Sequence, residues 1–156
     1  MVLYLHPPQI EVEASVRRAL QEDLTPLGDL TAALVAAEAK ARGILAARQG
    51  GVLAGTACAT EAFRQIDATI AVTWEVAEGD KIEVGQVLAR LDGPLATVLT
   101  AERTALNYLS HLSGIATVVA RWVAEAAGGA VVWDTRKTTP GLRALEKAAV
   151  RAGGGA

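Results

Sequence analysis

Hydrophobic residues change rhythm twice along the chain, from helical to alternating near Ala41 and back to helical near Thr100. Between Gln9 and Glu22, Ile10, Ala14, Val16 and Leu20 recur at roughly helical spacing, with Pro8 suited to a first turn. Leu24 to Asp29 reads as a loop broken by Pro26 and Gly28, and residues 32–39 fit helix or strand equally. "ARGILAARQ" and "GVLAG" then predict strands around a Gly50-Gly51 turn. "TACATEAFRQI" has helical composition, with Thr56 as its cap. "TIAVTWEV" alternates, with Ile70, Val72, Trp74 and Val76 on one face, as a half-buried strand does. "KIEV" and "QVLARLDG" continue as short strands until Asp92-Gly93-Pro94 breaks the pattern.

From about Thr100 a long helix is predicted, with Glu102 in its first turn. Its apolar stripe is Leu106, Leu109, Leu112, Ala116, Val119 and Val123, with a kink at Ser113-Gly114 and an end at Gly128-Gly129. A strand over 130–134 follows. A last helix starts with Thr139 as N-cap and Pro140 in its first position, and runs to about Ala152. Residues 1–100 thus read as a mixed α+β domain, and 101–156 as the helix, strand and helix that open an α/β unit. No internal repeat is apparent. Three glycines, Gly153 to Gly155, are an unusual close for a domain, so the chain is expected to be a piece of a longer protein.

Composition narrows the function by exclusion. The net charge is −2 and the pI about 5.7, so no global basic field points to nucleic acid or anionic membrane. Any anion site must be local. One cysteine, Cys58, excludes an internal disulfide and reads as a small buried apolar residue. Two histidines, His6 and His111, are too few for a His-rich metal site. Residues 1–8 lack the basic and apolar regions of a signal peptide. No window reaches the roughly 18 unbroken apolar residues of a membrane span, so the expected location is cytoplasmic.

Candidate chemistry lies in "WDTRKTTPGLR", residues 133–143, where an apolar run meets Asp134, Thr135, Arg136, Lys137, Thr138 and Thr139. In α/β folds ligands sit at the carboxyl ends of strands. Arg136 offers a planar fork of donors for carboxylate or phosphate, and Lys137 a mobile charge. The N–H groups of a helix starting at Pro140 would face the same space. The plain alternative is a solvated βα loop with Thr139 merely a cap. On the long helix, Arg103, Asn107, His111 and Gly114 share one face, as an ordinary solvent face would. Arg103 in a first turn would oppose the helix dipole, so a ligand or a partner subunit would explain it. "VAEGDKIEVGQVLARLDG" has the hairpin rhythm of biotinyl and lipoyl carrier domains, without the lysine those carriers modify at the tip.

"AERTALNYLSHLSGIAT" (101–117) and "DTRKTTPGLRALEKAAVRAGGG" (134–155) together resemble the quinolinate phosphoribosyltransferases, the carboxylating nicotinate-nucleotide pyrophosphorylases of NAD biosynthesis. "EDLTPLGDLTAALV" and "VAEGDKIEVGQVLARLDGPLATVLTAERTALN" fit the same family in order and spacing. The resemblance implies an N-terminal α/β sandwich over residues 1–100. Residues 101–156 would then begin an open α/β barrel of the type II phosphoribosyltransferase kind, incomplete in this chain. It implies transfer of the phosphoribosyl group of phosphoribosyl pyrophosphate to quinolinate, with Mg²⁺, releasing pyrophosphate and CO₂ and leaving nicotinate mononucleotide. Thr135, Arg136 and Lys137 would then hold carboxylate and phosphate groups, with Lys137 also the catalytic side chain. Arg103 would reach into the active site of the neighbouring subunit of a homodimer or higher oligomer. Because the family's later strands supply further site residues, the chain alone is expected to be inactive.

Two other readings remain open at this level. One is a paralogous phosphoribosyltransferase-like protein associated with molybdenum metabolism, which the missing barrel residues would distinguish. The other is a non-enzymatic barrel-sandwich carrier or binding domain, disfavoured by the absence of a lysine between Arg90 and Arg103.

Overall fold

The computed structural model describes residues 6–156, so the leader-free reading of residues 1–8 rests in part on a stretch outside the described residues. Helix α1 spans Gln9–Leu24, a 3-10 turn Ala32–Leu34, and strands β1 and β2 Lys40–Ala46 and Gly51–Val52. Helix α2 (Thr56–Ile66) precedes strands β3 (Ala71–Trp74), β4 (Lys81–Ile82) and β5 (Val87–Pro94), then helices α3 (Leu95–Ala126) and α4 (Arg143–Ala152). β5 is the centre of an antiparallel sheet of order β1-β5-β3, with Gly43 and Val72 both opposite Leu91. β2 and β4 form a separate antiparallel pair.

The core lies where α1, α2 and α3 meet the sheet. Val12, Val16, Leu53, Cys58, Phe63 and Leu145 are its largest fully buried side chains. Val12, Val16 and Leu20 repeat every fourth residue, so one face of α1 is sealed. Ile10 and Ala14, expected on that face, are exposed. In β3, Val72 and Trp74 are half-buried and Ala71 and Thr73 exposed, as the alternation predicts. Cys58 is wholly buried, and burial with Glu78 and Glu61 nearby pushes its thiol up to about 12.

Several boundaries differ from the sequence reading, each for a local reason. β1 and β2 do not form a hairpin around Gly50-Gly51: β1 pairs with β5 and β2 with β4. Thr56 is not the cap of α2. Its N–H and hydroxyl, with the Gly55 N–H, donate to the Glu78 carboxylate at 3.0, 2.5 and 2.7 Å, so a distant acid caps the helix. Asp92-Gly93-Pro94 continues β5 rather than ending it. Gly93 is needed there because a Cβ would come within 3.2 Å of the Ile70 Cα. The chain passes directly into α3, which therefore begins at Leu95 and not near Thr100.

α3 runs unbroken through Ser113-Gly114, where a kink was expected. The Ser113 hydroxyl instead accepts the Ala54 N–H at 2.9 Å and donates to the Ala54 carbonyl at 3.1 Å. One turn on, the Thr117 hydroxyl accepts the Val52 N–H at 2.9 Å. These small polar residues bind the β2 segment's backbone to the helix. The buried stripe of α3 includes Leu109, Leu112, Ala116 and Val119 as expected, but also Val98, Ala101, Ala105 and Tyr108, whereas Leu106 is exposed. Tyr108 shares a buried 2.7 Å hydrogen bond with Ser15 of α1.

Residues 130–134 do not form a regular strand. Among the described residues, their ladder-like bonds run to the end of the chain: the Ala156 N–H donates to the Val132 carbonyl at 2.9 Å and the Asp134 N–H to the Ala156 carbonyl at 2.8 Å. That alternation is the parallel-sheet pattern. No closed barrel is present among the described residues.

α4 begins at Arg143, three residues beyond the expected start at Pro140. The Leu142 N–H donates to the Thr139 carbonyl at 3.0 Å, and Gly141 has φ +83°. "TPGL" is therefore a turn with Pro and a left-handed Gly at its centre, as a type II turn requires. The terminal glycines have a packing role. A Cβ on Gly153 would lie 2.8 Å from the Val119 Cβ, and one on Gly155 2.7 Å from the Val150 Cγ1.

Candidate functional site

The polar stretch 134–139 is fastened at both ends and open in the middle. At one end the Lys147 ammonium donates to the Asp134 carboxylate at 2.7 Å. At the other, the Thr139 N–H donates to the Glu146 carboxylate at 3.1 Å. Between them the Lys137 N–H donates to the Thr135 hydroxyl at 3.1 Å, which closes a tight turn around Arg136. Thr135, Arg136 and Lys137 are all exposed. Among the described residues, the Arg136 and Lys137 side chains have no hydrogen-bond or ion-pair partner.

Glu146 is buried and bears two loads. Its second oxygen lies 3.0 Å from the His111 Nε2. Burial pushes its carboxyl up, but hydrogen bonds from Thr139 and His111 outweigh it and hold the group below its ordinary 4.5. An ionised carboxylate only accepts, so the His111 Nε2–H donates. His111 thus braces α4 from the solvent stripe of α3, where it, Asn107 and Gly114 all remain exposed.

Beside the loop lies an open groove of about 570 Å³, with Glu11 of α1 on one wall and Thr138, Pro140, Gly141, Arg143 and Lys147 on the other. Arg136 and Lys137 do not line it. Thr138 alone of the polar run faces it. Because α4 starts at Arg143, its first N–H groups lie beyond the turn and not directly behind Arg136.

Arg103 lies elsewhere. It sits eight residues into α3, past the first turn, so the expected conflict with the helix dipole does not arise. Glu102 likewise falls outside the first turn. The Arg103 guanidinium donates to Asp23, at the end of α1, at 2.8 Å. No hydrogen bond or ion pair among the described residues joins it to Thr135, Arg136 or Lys137. Nearby, the Asp29 carboxylate accepts the Thr31 and Ala32 N–H groups at 2.9 and 3.0 Å, which explains the "GDLT" turn.

Sequence reasoning found the loop but missed Glu146, Lys147 and the fastening role of Asp134. A weak signal was available in the adjacent Glu and Lys at the start of α4. No local spacing rule links them to residues seven and thirteen positions upstream. No helix of the described residues is long and apolar enough to cross a membrane.

Comparison with known proteins bears on the family and the fold. Residues 29–113 match the model of the quinolinate phosphoribosyl transferase N-terminal domain, and residues 115–156 that of the C-terminal domain. The chain is 42% identical over 129 residues to the probable nicotinate-nucleotide pyrophosphorylase [carboxylating] of Bacillus subtilis, covering 82% of this chain and 45% of that protein. It is 35% identical over 149 residues to quinolinate phosphoribosyltransferase [decarboxylating] 1 of Nicotiana glauca, covering 95% of this chain and 42% of that one. The nicotinate-nucleotide pyrophosphorylase structure from Francisella tularensis superimposes with a TM-score of 0.91 at 36% identity, over 96% of this chain and 53% of that chain. The chain thus spans about half the length of the relatives it matches. With both domain models matched in order and the fold shared, the chain belongs to the quinolinate phosphoribosyl transferase family.

Proposed function

We propose that this chain forms part of a quinolinate phosphoribosyltransferase of NAD biosynthesis, with Thr135, Arg136 and Lys137 as its contribution to the substrate site. The observation that carries this reading is the fastened loop whose two cations are left without partners. Exposed, unpaired Arg and Lys on a constrained turn are suited to gripping a dianion such as quinolinate or the phosphates of phosphoribosyl pyrophosphate. In the reaction, the pyridine nitrogen attacks the anomeric carbon and the bond to pyrophosphate breaks, its electron pair leaving with pyrophosphate. The 2-carboxylate departs as CO₂, its electron pair remains on the ring, and a proton is taken up there. Lys137 is the catalytic side chain of this proposal, placed to offset negative charge on the leaving group. The chain alone holds only part of such a site and is inactive.

Mg²⁺ belongs to the proposal only as an ion carried in on phosphoribosyl pyrophosphate. The described residues gather no group of three His, Cys, Asp or Glu side chains that could hold a metal. Arg103 is assigned to the neighbouring subunit's site in a homodimer. For this it must exchange its Asp23 contact, an ion pair with Arg103 largely exposed and therefore weakly held. A cytoplasmic location completes the reading.

Subunit mixing tests it. Full-length Arg103→Ala and Arg136→Ala proteins should each make little nicotinate mononucleotide. Mixed dimers should recover activity, because one of their two sites then has both arginines. No recovery in dimers shown by mass spectrometry to be mixed would refute the shared site.

A further inference from the structure

We propose that Glu146 and Lys147 are positioning residues that set the Arg136–Lys137 tip for an anionic substrate, a role that rests on the function proposed above. They are consecutive residues near the start of α4, yet they fasten opposite ends of the same loop: Lys147 holds Asp134 and Glu146 holds Thr139. Successive helical residues point about 100° apart. One turn of a rigid helix can therefore pin two points of a chain that lie on either side of it. The span between the pins carries the Thr135–Lys137 turn and the two unpaired cations.

The clasp is anchored beyond the loop. Glu146 is buried to 9% exposure, and its other oxygen takes the His111 N–H from α3. Leu145, Ala148 and Ala149 on either side are nearly sealed, so α4 cannot turn about its axis without breaking the core. The Lys147–Asp134 pair is about three-quarters shielded from water, which makes it firmer than the exposed pairs of the surface. The Arg136 and Lys137 side chains are thus not held by contacts of their own. Their placement is inherited from α4 through two side chains, as preorganised sites require of their supporting residues.

The test uses the full-length protein and two readouts: amide hydrogen exchange over residues 135–139, and quinolinate Kd by calorimetry. Glu146→Ala and Lys147→Ala should each speed exchange in that segment and raise Kd by about tenfold, the equivalent of one lost charge-assisted hydrogen bond. Glu146→Gln and Lys147→Arg should restore both, because Gln can still accept from Thr139 and can donate to the His111 Nε2 when the ring carries its proton on Nδ1, and Arg can still reach Asp134. Glu78→Ala, which removes the cap of α2 far from the loop, should lower stability but leave Kd unchanged. Wild-type Kd in both alanine variants, with Arg136→Ala raising it, would overturn the clasp and leave the site reading standing. If Arg136→Ala also leaves Kd unchanged, the site reading falls and the clasp falls with it.

Discussion

Two carboxylates nearly sealed from water divide the molecule into two kinds of region. Glu61, in α2, is 3% exposed and is satisfied by its own helix. Arg64 grips it with two nitrogens at 2.7 Å and Gln65 adds a third bond at 2.7 Å. Glu146, in α4, is 9% exposed and is satisfied by Thr139 in the loop and His111 in α3. The first network spends its charge on one helix that is already bedded in the core. The second ties three separate elements and leaves the cations between them uncommitted. Charge that stabilises and charge that stands ready for a ligand are thus set apart in space.

The largest expected effect should separate the two regions by stability alone. Phe63→Ala, at the wholly buried side chain of α2, should cost about 3–5 kcal/mol in urea unfolding. Trp133→Ala, at a side chain 74% exposed beside the loop, should change it by no more than about 0.5 kcal/mol. Equal losses would remove the distinction. Gly141→Ala should come next, at about 1–3 kcal/mol, because an alanine must adopt φ +83° and bring its Cβ within 3.0 Å of the Arg18 guanidinium. Its loss should appear as faster amide exchange around the turn before any change in α2.

The smallest effect concerns pH. Arg64 hydrogen bonds hold the Glu61 carboxyl below its ordinary 4.5, against the opposing pull of burial. A depressed folded value means that the stabilisation is fully present above 4.5 and is lost as pH falls through the lower folded value. Glu61→Gln should therefore cost about 1 kcal/mol near neutrality, since Arg64 is half exposed, and should flatten the decline of the urea midpoint in acid. A decline as steep as in the parent would show that Glu61 contributes nothing to it.

Legibility in the sequence followed the range of the interactions. The alternation of β3 and the fourth-residue repeat of α1 were visible because each is local and periodic. The start of α3 was not, because Asp92-Gly93-Pro94 has the composition of a break while Gly93 answers to Ile70 across a packing contact. Thr139-Pro140 imitates a helix start, and only the left-handed Gly141 reveals a turn. Ser113 resembled a weak point of a helix because its partner, the backbone of residue 54, lies about sixty positions away. At the candidate site the exposed cations could be read directly. The two residues that fasten them could not, since the pairing of Glu146 with His111 and Thr139 exists only once α3 and α4 have packed.

Calorimetric titration of quinolinate into the full-length protein and its Arg136→Ala variant is the most direct measurement. Loss of about 2–5 kcal/mol of binding free energy, the usual cost of removing one partner of a desolvated charge pair, is the predicted result. An affinity equal to the parent's would contradict the assignment of the loop as the quinolinate cradle.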